Sequence, residues 1–222
     1  MNVILDLCAG ALLVTALLTV WRRSQRGVVR VIAVQGVALA GLVAVVAART
    51  GDANDLLVVA LVLLLKGIVL PWLLDRRLAS LGALSGVGAP ALDDDAPLLN
   101  PTATVVFAAV LSIGAYAVVT PLLGDTGDPA VRLTPLGVAV VLIGLLAMST
   151  RGRAISQLVG FLVLDNGIAA VAFFSSGGVP LLVEFASSFD LLLVVVILQV
   201  FTVRLKAAFG DTDVRRLKEL HD

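Results

Sequence analysis

Cysteine and histidine are nearly absent from this chain of 222 residues, which holds one of each, Cys8 and His221. One cysteine excludes an intrachain disulfide and any cysteine-based metal or iron–sulfur site, and one histidine excludes a zinc enzyme. Charge is scarce as well. Charged residues make up 14% of the chain, against about 25% in soluble domains. The 16 basic residues cancel the 16 acidic ones and no basic block dominates, so nothing suggests nucleic acid as a partner.

Apolar residues fill the space that these absences leave. Of all positions 59% are hydrophobic, 20 more are glycine, and the mean hydropathy is +1.07. A soluble core does not need that much apolar surface. The runs are continuous rather than alternating in the ~10-residue pattern of a membrane β-barrel, so the expected fold is all-α: a polytopic membrane helix bundle.

A span needs about 20 mostly apolar residues. Seven are expected: Val3–Val20, Val28–Ala48, Leu56–Leu74, Ala103–Leu123, Leu133–Met148, Ile155–Phe174 and Val179–Val203. The fifth is the shortest. Basic residues sort to one side of this pattern, thirteen against two (Arg49 and Arg132). The basic side is expected to be cytoplasmic, with the N-terminus outside and the C-terminus inside. The first span does not read as a cleavable signal, because its basic cluster follows the apolar run. Cys8 reads as a small packing residue.

Four parts follow from this reading: a three-span half over 1–75, a cytoplasmic connection over 76–101, a four-span half over 102–206, and a tail over 207–222. The connection carries Asp93, Asp94 and Asp95. In the tail, Asp211, Thr212 and Asp213 precede Val214, Leu217 and Leu220, the pattern of a short amphipathic helix.

Ionisable groups inside the spans are the informative residues, since each costs about 2.5–3.5 kcal/mol at a helix centre. Lys66, Asp165 and Asp190 all fall in the middle third. On a helix rise of ~1.5 Å per residue, Asp165 stands about 18 Å from Arg153 and Lys66 about 15 Å from Arg76. Pro71 removes the hydrogen bond to the Gly67 carbonyl, so a kink is expected beside Lys66. Asp165, Asn166 and Gly167 favour turns, so a loosened helix is expected there. Glu184, Ser187, Ser188 and Asp190 recur at helical spacings of three and four, a polar stripe from the outer end of the last span to its middle. Buried Lys–Asp pairs serve either as proton-handling groups or as glue between helices, and spacing alone leaves both readings open. No nucleophile with a base, no redox side chain and no phosphate-cradling loop is present, so the chain has no catalytic centre or cofactor site of its own.

The run Gln157-Leu158-Val159-Gly160-Phe161-Leu162-Val163-Leu164-Asp165-Asn166-Gly167 resembles the Gln-x-x-Gly-x-x-x-(Met/Leu)-(Glu/Asp)-Asn-Gly pattern of hydrogenase-4 component E. Glu184 six residues before Asp190, and Lys66 five before Pro71, also match. That family supplies a membrane subunit of group 4 [NiFe] hydrogenase and formate hydrogenlyase-type complexes. Its last three spans are similar to the K subunit of bacterial complex I, itself related to a subunit of Mrp-type cation/proton antiporters.

The resemblance implies a non-catalytic subunit in a bacterial cytoplasmic membrane, packed against antiporter-like and anchoring subunits that belong with the metal centres. It implies a proton relay of Asp165, Asp190, Lys66 and Glu184, supported by Asn166, Gly167, Ser187 and Pro71. One of the two relay glutamates of the complex I subunit falls on Asp190. The other falls on Leu162, and the carboxylate appears three residues later as Asp165, one turn along nearly the same face. A scaffold without proton conduction and an antiporter subunit are the alternative expectations.

Overall fold

The computed structural model describes residues 2–22, 24–50, 53–76, 100–124, 127–152 and 154–176. Among them there is no strand. Helix α1 runs over Asn2–Trp21 and α2 over Gln25–Thr50. Helix α3 starts as an α-helix at Ala53–Val62, passes through a π-helical segment at Leu63–Val69 and continues over 70–76. Helix α4 covers Pro101–Leu123, α5 covers Thr134–Thr150 and α6 covers Ala154–Ser176.

All six are long and apolar enough to cross a membrane. The chain is a multi-pass membrane protein with an all-α bundle fold. The six helices coincide with the first six expected spans, and the short fifth one is present as α5. The seventh, Val179–Val203, lies outside the described residues.

Successive helices run antiparallel, and polar contacts at their ends show the alternation. At one end Arg49, closing α2, reaches Asn2 at 3.0 Å and Asp128, before α5, at 3.5 Å. At the other end Arg151, just after α5, donates to the carbonyls of Thr19 and Arg22 at the close of α1. The second end is the arginine-rich one, so the first is the end expected to face outward from the basic-residue count.

Helices α1, α2, α5 and α6 make the central packing unit, with α3 against α2 and α4 against α5 and α1. Burial follows that order. Half or more of the spanning window is buried in α2, α5 and α6, but only 11% in α4, which is therefore peripheral. Val106, Phe107, Val110, Ile113 and Leu122 of α4 point outward, as do Leu57, Leu64, Ile68 and Trp72 of α3. Water would not tolerate so large an apolar surface on a monomer, whereas lipid does.

Packing within a bilayer gains little from apolar burial, so close backbone approach carries more of the load. The α5–α6 seam shows this at four glycines. A Cβ on Gly144 would stand 2.5 Å from the Leu164 amide nitrogen, and one on Gly167 would stand 2.6 Å from that of Val141. Gly137 and Gly160 make equally tight contacts with Val171 and Met148. Cys8 packs on the core beside Gly41, as expected.

Candidate functional site

A buried polar cluster lies at mid-depth, where α1, α2, α3 and α6 converge. It is built on α3. Because Pro71 has no N–H to offer, the regular hydrogen-bond register cannot run through the Gly67 carbonyl. The chain resolves this by widening to a π-helix over Leu63–Val69, and the Leu70 N–H bonds the Leu65 carbonyl, five residues back. The expected disturbance beside Pro71 is thus a register change, and it carries Lys66 in its middle. Single π-turns concentrate at functional sites.

The bulge brings the Lys66 backbone hard against α2. A Cβ on Gly36 would sit 2.3 Å from the Lys66 carbonyl oxygen, so only glycine fits there. The Lys66 side chain then reaches α6. Its Nζ lies 2.8 Å from Asp165 Oδ2, with the two side chains 1% and 14% exposed. Two opposite charges out of water offset much of each other's desolvation, which explains how both are accommodated in an apolar bundle.

One residue further along α6, Asn166 turns toward α2 instead. Its Nδ2 donates to Gln35 Oε1 at 3.2 Å, and Gln35 Nε2 donates to the Leu12 carbonyl of α1 at 3.4 Å. The dipeptide Asp165-Asn166 therefore addresses two helices at once, and the amide bonds fix the rotation of α6 that aims Asp165 at Lys66. All three of Gln35, Lys66 and Asn166 are buried.

The expected loosening at Asp165-Asn166-Gly167 does not occur. Helix α6 is continuous over Ala154–Ser176. In an apolar medium a broken helix would leave backbone groups without partners, while here the Asn166 amide finds its partner across the helix interface and Gly167 makes the seam with Val141. The remaining expected residues, Glu184, Ser187 and Asp190, fall outside the described residues.

Two buried polar residues, one of the site and one at the arginine-rich end, were not singled out from the sequence. Gln35 is one; the signal was an amide in the middle of the second apolar span, directly before Gly36. Arg151 is the other. Counted as one of the basic residues on the cytoplasmic side, it is in fact buried and spends its guanidinium on two main-chain carbonyls. Among the described residues, no group of three His, Cys, Asp or Glu side chains is placed to hold a metal ion.

No protein-family model and no solved structure matches the chain. It is 40% identical over 221 residues to a Mycobacterium tuberculosis H37Rv protein described as uncharacterized protein Rv0085, covering 100% of this chain and 97% of the other. The chain belongs to that protein's family. End-to-end similarity at this level means that the two proteins share the membrane bundle described above.

Proposed function

We propose that this protein is a non-catalytic membrane subunit of a hydrogenase-like, complex I-related oxidoreductase complex, and that it relays protons through intramembrane groups. One observation carries the reading: at mid-depth the buried Lys66 and the largely shielded Asp165 meet at 2.8 Å on the two stretches that bear the family resemblance. A charged pair in the middle of a bilayer marks a functional pathway by default, because its cost selects against it elsewhere. The π-helical turn under Lys66 and the amide bonds beside Asp165 hold the pair in place. By sequence, Asp190 and Glu184 would extend the relay, with the redox metals in other subunits. The membrane would be the bacterial plasma membrane.

A second reading has support in the same place. The Gln35–Asn166 bond and the glycine seam show that this region also packs helices tightly, as a scaffold between antiporter-like and anchoring subunits requires.

Affinity purification of the full chain from its own host in mild detergent tests the assembly. Mass spectrometry is expected to find antiporter-like membrane subunits and a nickel–iron-type large subunit. A stand-alone monomer that transports a solute would remove the complex-subunit reading.

A further inference from the structure

Buried polar groups are distributed unevenly along the membrane normal. Ten polar or charged residues are buried among the described residues. Six of them (Thr15, Thr19, Thr104, Thr150, Arg151 and Ser156) lie in the half nearer the arginine-rich end, three form the mid-depth cluster, and Thr134 alone lies in the outer half. The outer half of the interior is filled by Leu5, Ala9, Leu42, Leu136, Phe173 and Phe174.

Three of the inner polar groups, Thr15, Thr19 and Arg151, lie along α1 below the cluster. The Leu12 carbonyl accepts from Gln35 Nε2 at 3.4 Å and lies 2.9 Å from Thr15 Oγ1, which donates more closely to the Ala11 carbonyl at 2.6 Å. One turn on, Thr19 Oγ1 donates to the Ala16 carbonyl at 2.6 Å. The Thr19 carbonyl in turn accepts from Arg151, which also donates to the Arg22 carbonyl at 3.1 Å where α1 ends. One face of α1 thus carries oxygen atoms from the arginine-rich boundary to Gln35. The Thr15 and Thr19 hydroxyls are four residues apart, about 6 Å along the helix, a gap that one water molecule bridges. Bonding back to its own helix would satisfy a threonine at any depth. It does not account for the concentration of these groups in one half of the described bundle.

We infer that the Lys66–Asp165 pair exchanges protons with the arginine-rich, cytoplasmic side through water admitted along the Thr15–Thr19 face of α1. Gln35 is the positioning residue where that route meets the cluster: its carbonyl end holds Asn166 beside Asp165, and its amide end holds the α1 carbonyl. The outer half of the described bundle is dry. The route deepens the relay reading and rests on it, but the two fail separately, because access is measured without any proton pumping.

The test uses silver ion, small enough for a narrow aqueous path and reactive with thiols, on the full chain in native membrane vesicles. With Cys8→Ala as background, Thr15→Cys, Thr19→Cys and Ala9→Cys are exposed to silver nitrate from either face. Thiols left unreacted are then counted with a maleimide after denaturation. The expected result is at least tenfold faster loss of the Thr15→Cys and Thr19→Cys thiols from the cytoplasmic face than from the outer face, with Ala9→Cys protected from both. Should Thr19→Cys fail to accumulate, Thr15→Cys carries the same reading. Rates at both positions equal to that of Ala9→Cys, or faster from the outer face, would overturn the route. Cytoplasmic access together with unaltered proton movement after removal of the ion pair would keep the route and remove the relay.

Discussion

Gly36 and Lys66 meet main chain to main chain: a Cβ at Gly36 would stand 2.3 Å from the Lys66 carbonyl oxygen. Backbone cannot give way as a flexible side chain can, so Gly36→Ala is expected to push α3 off α2 and to lower stability by about 1–3 kcal/mol. Gly114→Ala on α4 is the control, since nothing lies within 4 Å of its Cβ position. It is expected to be neutral or stabilising by about 0.5–1 kcal/mol through helix propensity. Thermal melting in detergent reads both, and equal melting temperatures would show that the α2–α3 contact is not as close as described.

Removing one charge of the buried pair leaves the other stranded. Lys66→Met alone and Asp165→Asn alone are each expected to cost about 3–5 kcal/mol, seen as degradation or poor recovery of the assembled complex. Lys66→Met combined with Asp165→Leu replaces the pair by apolar groups and is expected to recover most of that loss. A double variant as unstable as the sum of the singles would mean that the two charges are not each other's partner.

The Gln35–Asn166 bond is expected to show measurable coupling. Gln35→Leu and Asn166→Leu each leave an amide in an apolar interior. A double-mutant cycle in detergent is expected to return about 0.6–1.7 kcal/mol, the range for polar contacts between membrane helices. Zero coupling would place the two amides apart.

Arg151 closes the arginine-rich end of α1 from outside the helix. Arg151→Ala takes the donor from two carbonyls, and Arg151→Lys offers a point charge where a planar fork had served both. Hydrogen exchange in the last turn of α1 is expected to rise roughly tenfold or more in the alanine variant, as the loss of charge-assisted bonds of about 1.5–3 kcal/mol requires. Unchanged exchange there would make the contact incidental.

The helices were legible because lipid allows so few alternatives: a continuous apolar run of sufficient length has to be helical, and even the short fifth span proved to be one. Lys66 and Asp165 were legible because their cost in a bilayer is high. Their meeting was not, since depth along each helix can be read from a sequence and azimuth cannot. The effect of Pro71 was visible as a disturbance, but whether the chain would kink or widen into a π-turn depends on what α2 offers opposite it, namely Gly36. Asp165-Asn166-Gly167 misled for a related reason. Turn propensity is a preference in water, and here Gln35 and Val141 supply partners that make an uninterrupted helix the better solution. Gln35 itself was hidden by its lack of charge.

Proton translocation by the complex carrying Lys66→Met with Asp165→Leu tests the relay most directly. This double variant keeps the packing and removes every titrating group of the pair, so assembly and conduction separate. Assembly is checked first by subunit composition. Acidification of the external medium by membrane vesicles is then followed against electron transfer through the same preparation. The relay predicts an intact complex that still transfers electrons but moves fewer protons per electron than the parent. An intact complex with the parental proton-to-electron ratio would contradict it and leave Lys66 and Asp165 as glue between helices.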